Sequence, residues 1–350
     1  VNSILGLKDS EVVATSINAV NVGFEAMPNT ISPQKIPPAT TTLSHWNISG
    51  NEAAGLGALR GGVRLVAAYP ITPASEILEW MAPNLEKVGG VFIQAEDELA
   101  SINMVIGASF GGVPALTATS GPGLSLMTEA LGLAIASENP LVVINVMRGG
   151  PSTGIPTKSE QSDLNIALYG MHGDAPHIVL APVSISDCAF TTEWAVRLVE
   201  RLQSVAIVLS DQSIGQSRAI VDSPQCAPVL EDRSTVTPGC ESYHRYALTA
   251  DGISKMAIPG TAGCIFTADG LEHTPEGIPS SMASDHQQQL EKRYNKLVRY
   301  DYGEQWAEKE GEGGVCLITW GSSSGVVKEA AQRLRADGLT IQTLAIRLLS

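Results

Sequence analysis

The sequence predicts an α/β fold: a doubly wound, mostly parallel sheet followed by the start of a second α/β domain. Three observations predict it. Short apolar runs alternate with helical patterns from Gly50 onward, and turn residues crowd the carboxyl end of each run. A hydrophobic content of 44% with 34 glycines in 350 residues suits a folded α/β chain, long enough for two compact domains. Such alternation implies parallel strands joined by right-handed crossovers.

Residues 1–27 contain one amphipathic helical pattern, about Ser10 to Ala26, with no strand before it. The chain also lacks an initiator methionine, so this segment reads as the C-terminal helix of a preceding domain. "MPNTISPQKIPPATTTLSH" is rich in proline and threonine without periodicity, which reads as a linker over 28–46. Residues 47–222 carry the main domain. Its strands are predicted at 63–69, 91–95, 114–119, 141–147, 177–181 and 205–210, and its helices at 74–88, 97–110, 122–138 and 186–202. Residues 223–312 are more polar and read as a connecting region with one solvated helix. Residues 313–350 give strand, glycine-serine turn, helix and strand, the start of a truncated second α/β domain.

A net charge of −14 argues against nucleic acid and against an anionic membrane surface. No apolar run approaches the roughly 18 residues of a membrane span, and no signal-peptide pattern opens the chain. The five cysteines are scattered without a CxxC pair, so they read as reduced thiols in a cytoplasmic protein that builds neither a zinc site nor an iron–sulfur cluster.

In an open α/β sheet, ligands sit beyond the carboxyl ends of the strands, and four marked segments fall there. "YPITP" (Tyr69 to Pro73) places Thr72 as an N-cap and Pro73 at the first helical position. That is an ordinary helix start, or an anion site of backbone N–H groups plus a hydroxyl. "AEDELA" puts Glu96, Asp97 and Glu98 before a helix that is apolar from Leu99 to Phe110. Acids in a first turn complement the helix dipole. That helix is expected to be buried, so one carboxylate faces the interior, where a glutamate has a raised pKa and shares or donates a proton. "TSGPG" puts Ser120 at another helix start with glycines on either side of Pro122, which also suits a plain tight loop. In "MRGGPSTG", Arg148 follows its strand directly, placed to hold a carboxylate with both arms; a surface arginine is the bland alternative. No GxxxxGK[ST], no GxGxxG after a strand and no His-x-x-x-His occurs.

Taken together, "YPITPAS", "EDELASI", "TATSGPGLSLMTEALGLA", "RGGPSTGIPTKSEQSDL" and "YGMHGDAP" resemble the α subunit of 2-oxoacid:ferredoxin oxidoreductases, closest to the 2-oxoglutarate type. The likeness is dense over Gly50 to Asp222 and continues to "LITWGSSSGVVKEAAQRL". The resemblance implies a thiamine-diphosphate-binding fold with a pyrimidine-type domain. It implies an enzyme that oxidatively decarboxylates a 2-oxoacid to an acyl-CoA, or runs the reverse carboxylation of a reductive TCA cycle, passing electrons to ferredoxin. Glu98 matches the family glutamate that hydrogen-bonds the aminopyrimidine ring and favours its imino tautomer. Thr72 and Arg148 match residues that hold the 2-oxoacid carboxylate. Tyr69, Pro70, Ile71 and Ser120 fall in cofactor-binding motifs, and Thr153 and Lys158 in substrate motifs, with Lys158 expected to meet the second carboxylate of a dicarboxylic substrate.

The chain departs from the whole enzyme in lacking the GDG segment and downstream asparagine that hold Mg²⁺ and the diphosphate. By resemblance, a β subunit supplies that site and a 4Fe–4S cluster, the assembly is (αβ)2, and CoA and ferredoxin are co-substrate and acceptor. An upstream domain helps bind CoA, so the chain alone is expected to be inactive. Pyruvate or another 2-oxoacid is the alternative substrate. A non-catalytic scaffold of the same fold is a further alternative, against which the presence of Glu98, Thr72 and Arg148 together argues.

Overall fold

The structure, a computed structural model, describes residues 5, 8–27, 45–155, 157–239 and 242–350. Cys240 and the linker residues 28–44 lie outside the described residues. The chain divides into two compact units, Val1–Ser44 and His45–Ser350. The first contains helix α1 (Ser10–Ala26), which has no buried residue; the carboxylate of its N-cap Asp9 accepts a hydrogen bond from the Glu11 N–H at 2.8 Å.

The second unit is built on a six-stranded parallel sheet. Its strands are β2 (Leu65–Ala68), β3 (Val91–Gln94), β4 (Ala115–Thr119), β5 (Leu141–Met147), β6 (Ile178–Leu180) and β7 (Val205–Asp211), in the order β3-β2-β4-β5-β7-β6. Helices α2 (Gly50–Gly61), α3 (Ser75–Glu86) and α7 (Asp187–Leu202) cover one face. Helices α4 (Glu98–Phe110), α5 (Gly121–Ala136) and α6 (Leu164–Tyr169) cover the other. β5 shows why its run "LVVINVM" is apolar throughout. Val142, Ile144 and Val146 join one core cluster; Leu141, Val143 and Met147 join the opposite one. A strand covered on both faces needs no polar alternation, and Asn145, buried on the second face, is the one exception.

The expected strands and helices of residues 63–210 are present, with ends shifted by a few residues. Helix α2 has no counterpart in the sequence reading, because "GNEAAGLGALRG" has too many small residues to show a period. Its start is nevertheless well marked. The Ser49 hydroxyl and Glu52 N–H, and the Glu52 carboxylate and Ser49 N–H, form a reciprocal capping box at 3.1 and 3.0 Å. The small residues serve packing: a Cβ on Gly57 would stand 2.1 Å from the Ala189 carbonyl of α7.

Two expectations are corrected. Helix α4 is buried on one side only, since the sheet covers one side of it; Leu99 is 50% and Met104 42% exposed. The helix expected to be solvated, α9 (Ala283–Val298), instead buries Lys292, Arg293 and Lys296. The reason is Glu138, wholly buried just past the end of α5, whose two carboxylate oxygens accept from Lys292 Nζ at 2.5 Å and Lys296 Nζ at 2.7 Å. Burial disfavours its charge, but the two lysines and Arg245 outweigh that and hold its carboxyl well below the usual range.

Past α7 and β7 come the short helix α8 (Gln212–Gln216) and β8 (Arg218–Val221), which pairs antiparallel with β1 (Trp46–Ser49). A second, three-stranded sheet holds β9 (Ala307–Glu310), β10 (Val315–Trp320) and β11 (Ile341–Ile346), with α10 (Ser323–Ala336) between the last two. In it β10 and β11 are parallel and β9 is an antiparallel edge. Beyond β11 the chain pairs with the edge of the large sheet, where the Ala181 N–H donates to the Arg347 carbonyl and the Leu349 N–H to that of Val179, both at 2.8 Å. Among the described residues, no helix is long and apolar enough to cross a membrane.

Candidate active site

The strand order fixes where a site can form. From β2 the chain steps outward to β3 and then returns to the other side of β2 to make β4, so the connections leave a crevice between β2 and β4. The carboxyl ends of β3, β2, β4, β5 and β7 lie side by side in that order and carry Glu98, Thr72, Ser120, Arg148 and Asp211 respectively.

Glu98 is the first residue of α4 and only 7% exposed, whereas Asp97 is its N-cap, accepting from the Ala100 N–H at 2.7 Å. Glu96 is exposed. Three consecutive acids thus take three directions, and the third points inward. Glu98 packs against Gly123, where a Cβ would stand 2.1 Å from Thr119 Oγ1, 2.7 Å from Glu98 Cγ and 2.8 Å from Glu98 Oε1. Glycine is required there. The Glu98 carboxyl has no hydrogen-bond or ion-pair partner among the described residues.

The "YPITP" turn is built differently from expectation. Thr72 is not an N-cap and Pro73 is not the first helical residue. Residues 72–74 form a turn that includes a cis Thr72–Pro73 peptide, the Ser75 N–H donates to the Ile71 carbonyl at 3.0 Å, and α3 starts at Ser75 behind an Ala74 with no side-chain cap. The turn is pinned from two sides. The Asn51 amide, buried at the start of α2, donates to the Pro73 carbonyl at 3.0 Å and to Glu76 Oε2 at 3.3 Å, while Gln216 Nε2 donates to Glu76 Oε1 at 2.7 Å. From the cleft side, Arg148 Nη1 donates to the Thr72 carbonyl at 2.6 Å. Thr72 itself is exposed, as are Tyr69 and Pro70, with Ile71 half-buried.

Arg148 is half-buried, and its Nε lies buried without a partner. It lines a cleft of about 640 Å³ with Gly121, Pro122, Glu160, Ser162 and Asp163. Ser120, wholly buried ahead of α5, makes no cap bond, and its Oγ is without a partner. Thr153 and Lys158 are exposed and do not line this cleft.

Several residues that shape the site escaped the sequence reading. The Asp163 carboxylate lies against the first residue of α5, where a Cβ on Gly121 would stand 2.9 Å from Oδ1, and Oδ2 accepts from Asn145 Nδ2 at 2.8 Å. The positive end of α5 therefore already faces a carboxylate of the chain itself. Asn51 sits too far along the chain from Pro73 for any local signal. Asp163 had one, as the acid opening a helix in "SEQSDL".

Comparison with known proteins places the chain in a family. Residues 56–292 match the family described as pyruvate flavodoxin/ferredoxin oxidoreductase, thiamine diphosphate-binding. The chain belongs to this family. Among its relatives is the 2-oxoglutarate synthase subunit KorA of Archaeoglobus fulgidus, 42% identical over 302 residues, which cover 86% of this chain and 80% of that one. The KorA subunit of Methanothermobacter thermautotrophicus is 37% identical over 305 residues, 85% of this chain and 80% of its own. Among solved structures, the 2-oxoglutarate:ferredoxin oxidoreductase of Magnetococcus marinus, determined with 2-oxoglutarate, coenzyme A and succinyl-CoA bound, superposes with a TM-score of 0.87 at 42% identity. The match covers 99% of this family member but only 62% of the Magnetococcus chain.

Proposed function

We propose that the chain is the α subunit of a 2-oxoglutarate:ferredoxin oxidoreductase, catalysing CoA-acylating oxidative decarboxylation or the reverse carboxylation in the cytoplasm. It contributes residues 47–222 as the pyrimidine-binding domain of an (αβ)2 enzyme. The β subunit supplies the Mg²⁺-diphosphate site and the 4Fe–4S cluster, and ferredoxin takes the electrons. The family match and the KorA relatives support the reaction class.

The observation that carries the reading is Glu98, a residue only 7% exposed beside the crevice, whose carboxyl makes no hydrogen bond or ion pair among the described residues. A largely sequestered carboxyl with free acceptor capacity at the crevice is placed to meet a ring nitrogen of an aminopyrimidine and share its proton. The residues present fit that group, because Gly123 leaves the glutamate its place and Ser120 Oγ offers an unspent hydroxyl. Thiamine diphosphate, when bound, supplies a carbon nucleophile for the 2-oxo carbon and a sink for the electrons released on decarboxylation. Glu98 holds the proton at the pyrimidine nitrogen. Arg148 orients the substrate carboxylate with the donors left over from Thr72, and the Thr72 carbonyl stays fixed beside it. On this reading Tyr69, Pro70 and Ile71 face the cofactor, and Thr153 and Lys158, which stand outside the cleft in the chain alone, reach the substrate only from the loop's exposed rim.

The test is co-expression with the β subunit and CoA-dependent viologen reduction across a panel of 2-oxoacids. Glu98→Gln, which keeps the shape and loses the acid, is expected to reduce turnover by at least about 100-fold. Near-normal turnover by that variant would remove Glu98 from the role, and preference for pyruvate would replace the substrate.

A further inference from the structure

Three consecutive side chains tie the Arg148 loop to the rest of the molecule. Gln161 Nε2 donates to the Trp320 carbonyl at 3.2 Å, at the end of β10 in the second sheet. Ser162 Oγ donates to the Arg148 carbonyl at 2.9 Å. Asp163 Oδ2 accepts from Asn145 on β5 at 2.8 Å. The loop between is closed on itself, with the Gly149 N–H donating to the Lys158 carbonyl at 2.9 Å and the Ile155 N–H to the Gly149 carbonyl at 3.2 Å. The attachment at 161–163 therefore adjoins the ends of a loop that is hydrogen-bonded to itself.

The far end of the first attachment is packed in place. Trp320 packs on the core cluster under α4 and α5, and Gly321 follows with φ of 61°. A Cβ on Gly321 would stand 2.3 Å from Gln161 Nε2 and 3.9 Å from Asp211 Oδ2. The turn thus presents a fixed carbonyl and no side chain, which leaves room for one amide. We propose that Gln161 is a positioning residue for Arg148, holding the substrate loop against the turn that ends β10. The second sheet then serves as a brace for the 2-oxoacid site. This rests on the reading of Arg148 as the carboxylate-holding residue.

Two perturbations reach the same contact from opposite sides. Gln161→Glu is isosteric and cannot donate to a carbonyl, and Gly321→Ala pushes the amide out. In the assembled α and β enzyme, each is expected to raise the KM for the 2-oxoacid about three- to tenfold while the KM for CoA stays within about twofold. The double variant should be no worse than Gly321→Ala alone, because both break one contact. Gln161→Lys restores a donor and should recover most of the wild-type KM. An unchanged KM for the 2-oxoacid, an equal rise for both substrates, or additive effects in the double variant would overturn the positioning role. A wild-type enzyme that turns over no 2-oxoacid would instead overturn the proposed function and the inference with it.

Discussion

Replacing Glu138 with glutamine tests how the connecting region is attached. The carboxylate is wholly buried between Lys292 and Lys296 at 2.5 and 2.7 Å, and the Arg245 Nη2 donates to its backbone carbonyl at 2.8 Å. Glutamine keeps the shape and leaves the buried cations without a counter-charge. Breaking a buried pair from one side costs about 3–5 kcal/mol. At roughly 2 °C per kcal/mol for a folding unit of this size, the melting midpoint at pH 7 should fall by about 6–10 °C.

The pH dependence has a definite sign. Burial, only partly offset by Glu138, draws Lys292 down to about 8 from its ordinary 10.5. A lysine whose folded pKa is depressed makes stability rise with pH, here between about 8 and 10.5, as the native state sheds the strained proton first. The penalty of Glu138→Gln should therefore shrink at about pH 9.5, where an uncompensated ammonium can be neutral. The carboxylate gives the same sign in the acid range: its folded pKa lies below 4.5, so its stabilisation is present above that value and fades as pH falls beneath it. The variant should lose that acid sensitivity. Thermal melts followed by circular dichroism at both pH values check this, and a loss under about 2 °C at pH 7, or equal losses at both, would refute it.

Two other substitutions probe the cleft. Arg148→Ala in the assembled enzyme should raise the KM for the 2-oxoacid at least about tenfold with little change for CoA, since it removes charge-assisted bonds to the substrate alone; equal effects on both substrates contradict carboxylate binding. Asn51→Ala should lower stability by about 1–3 kcal/mol by leaving the buried Pro73 carbonyl unpaired. Asn51→Asp should be worse, because it cannot donate and faces Glu76; melting midpoints in the reverse order would show that the amide is not what pins the turn.

Local chemistry made much of this legible. Each strand of the large sheet except the half-exposed edge strand β3 is a short run covered on both faces, so apolar alternation with helices gave it away, and Glu98, Thr72 and Arg148 stand at strand ends that the topology gathers on one edge. What stayed hidden depends on partners distant in sequence. The turn at Thr72 is shaped by Asn51 and Arg148, 22 and 76 residues from their acceptors, and so the local capping rule misplaced the start of α3. Helix α9 carries the charges of a solvated helix, and only the position of Glu138, 154 residues before Lys292, explains why those charges are inside.

Arg148 spends one arm on the Thr72 carbonyl, and that limits how such a protein can diversify. A side chain that is at once rivet and receptor cannot be traded for another cation: lysine would bring charge but lacks the second, rigidly spaced arm. Exchanging it would let go of a neighbouring turn as well as a ligand. New substrate preferences are therefore better written on the exposed rim, at 153, 158 and 159, whose side chains make no hydrogen bond or ion pair among the described residues.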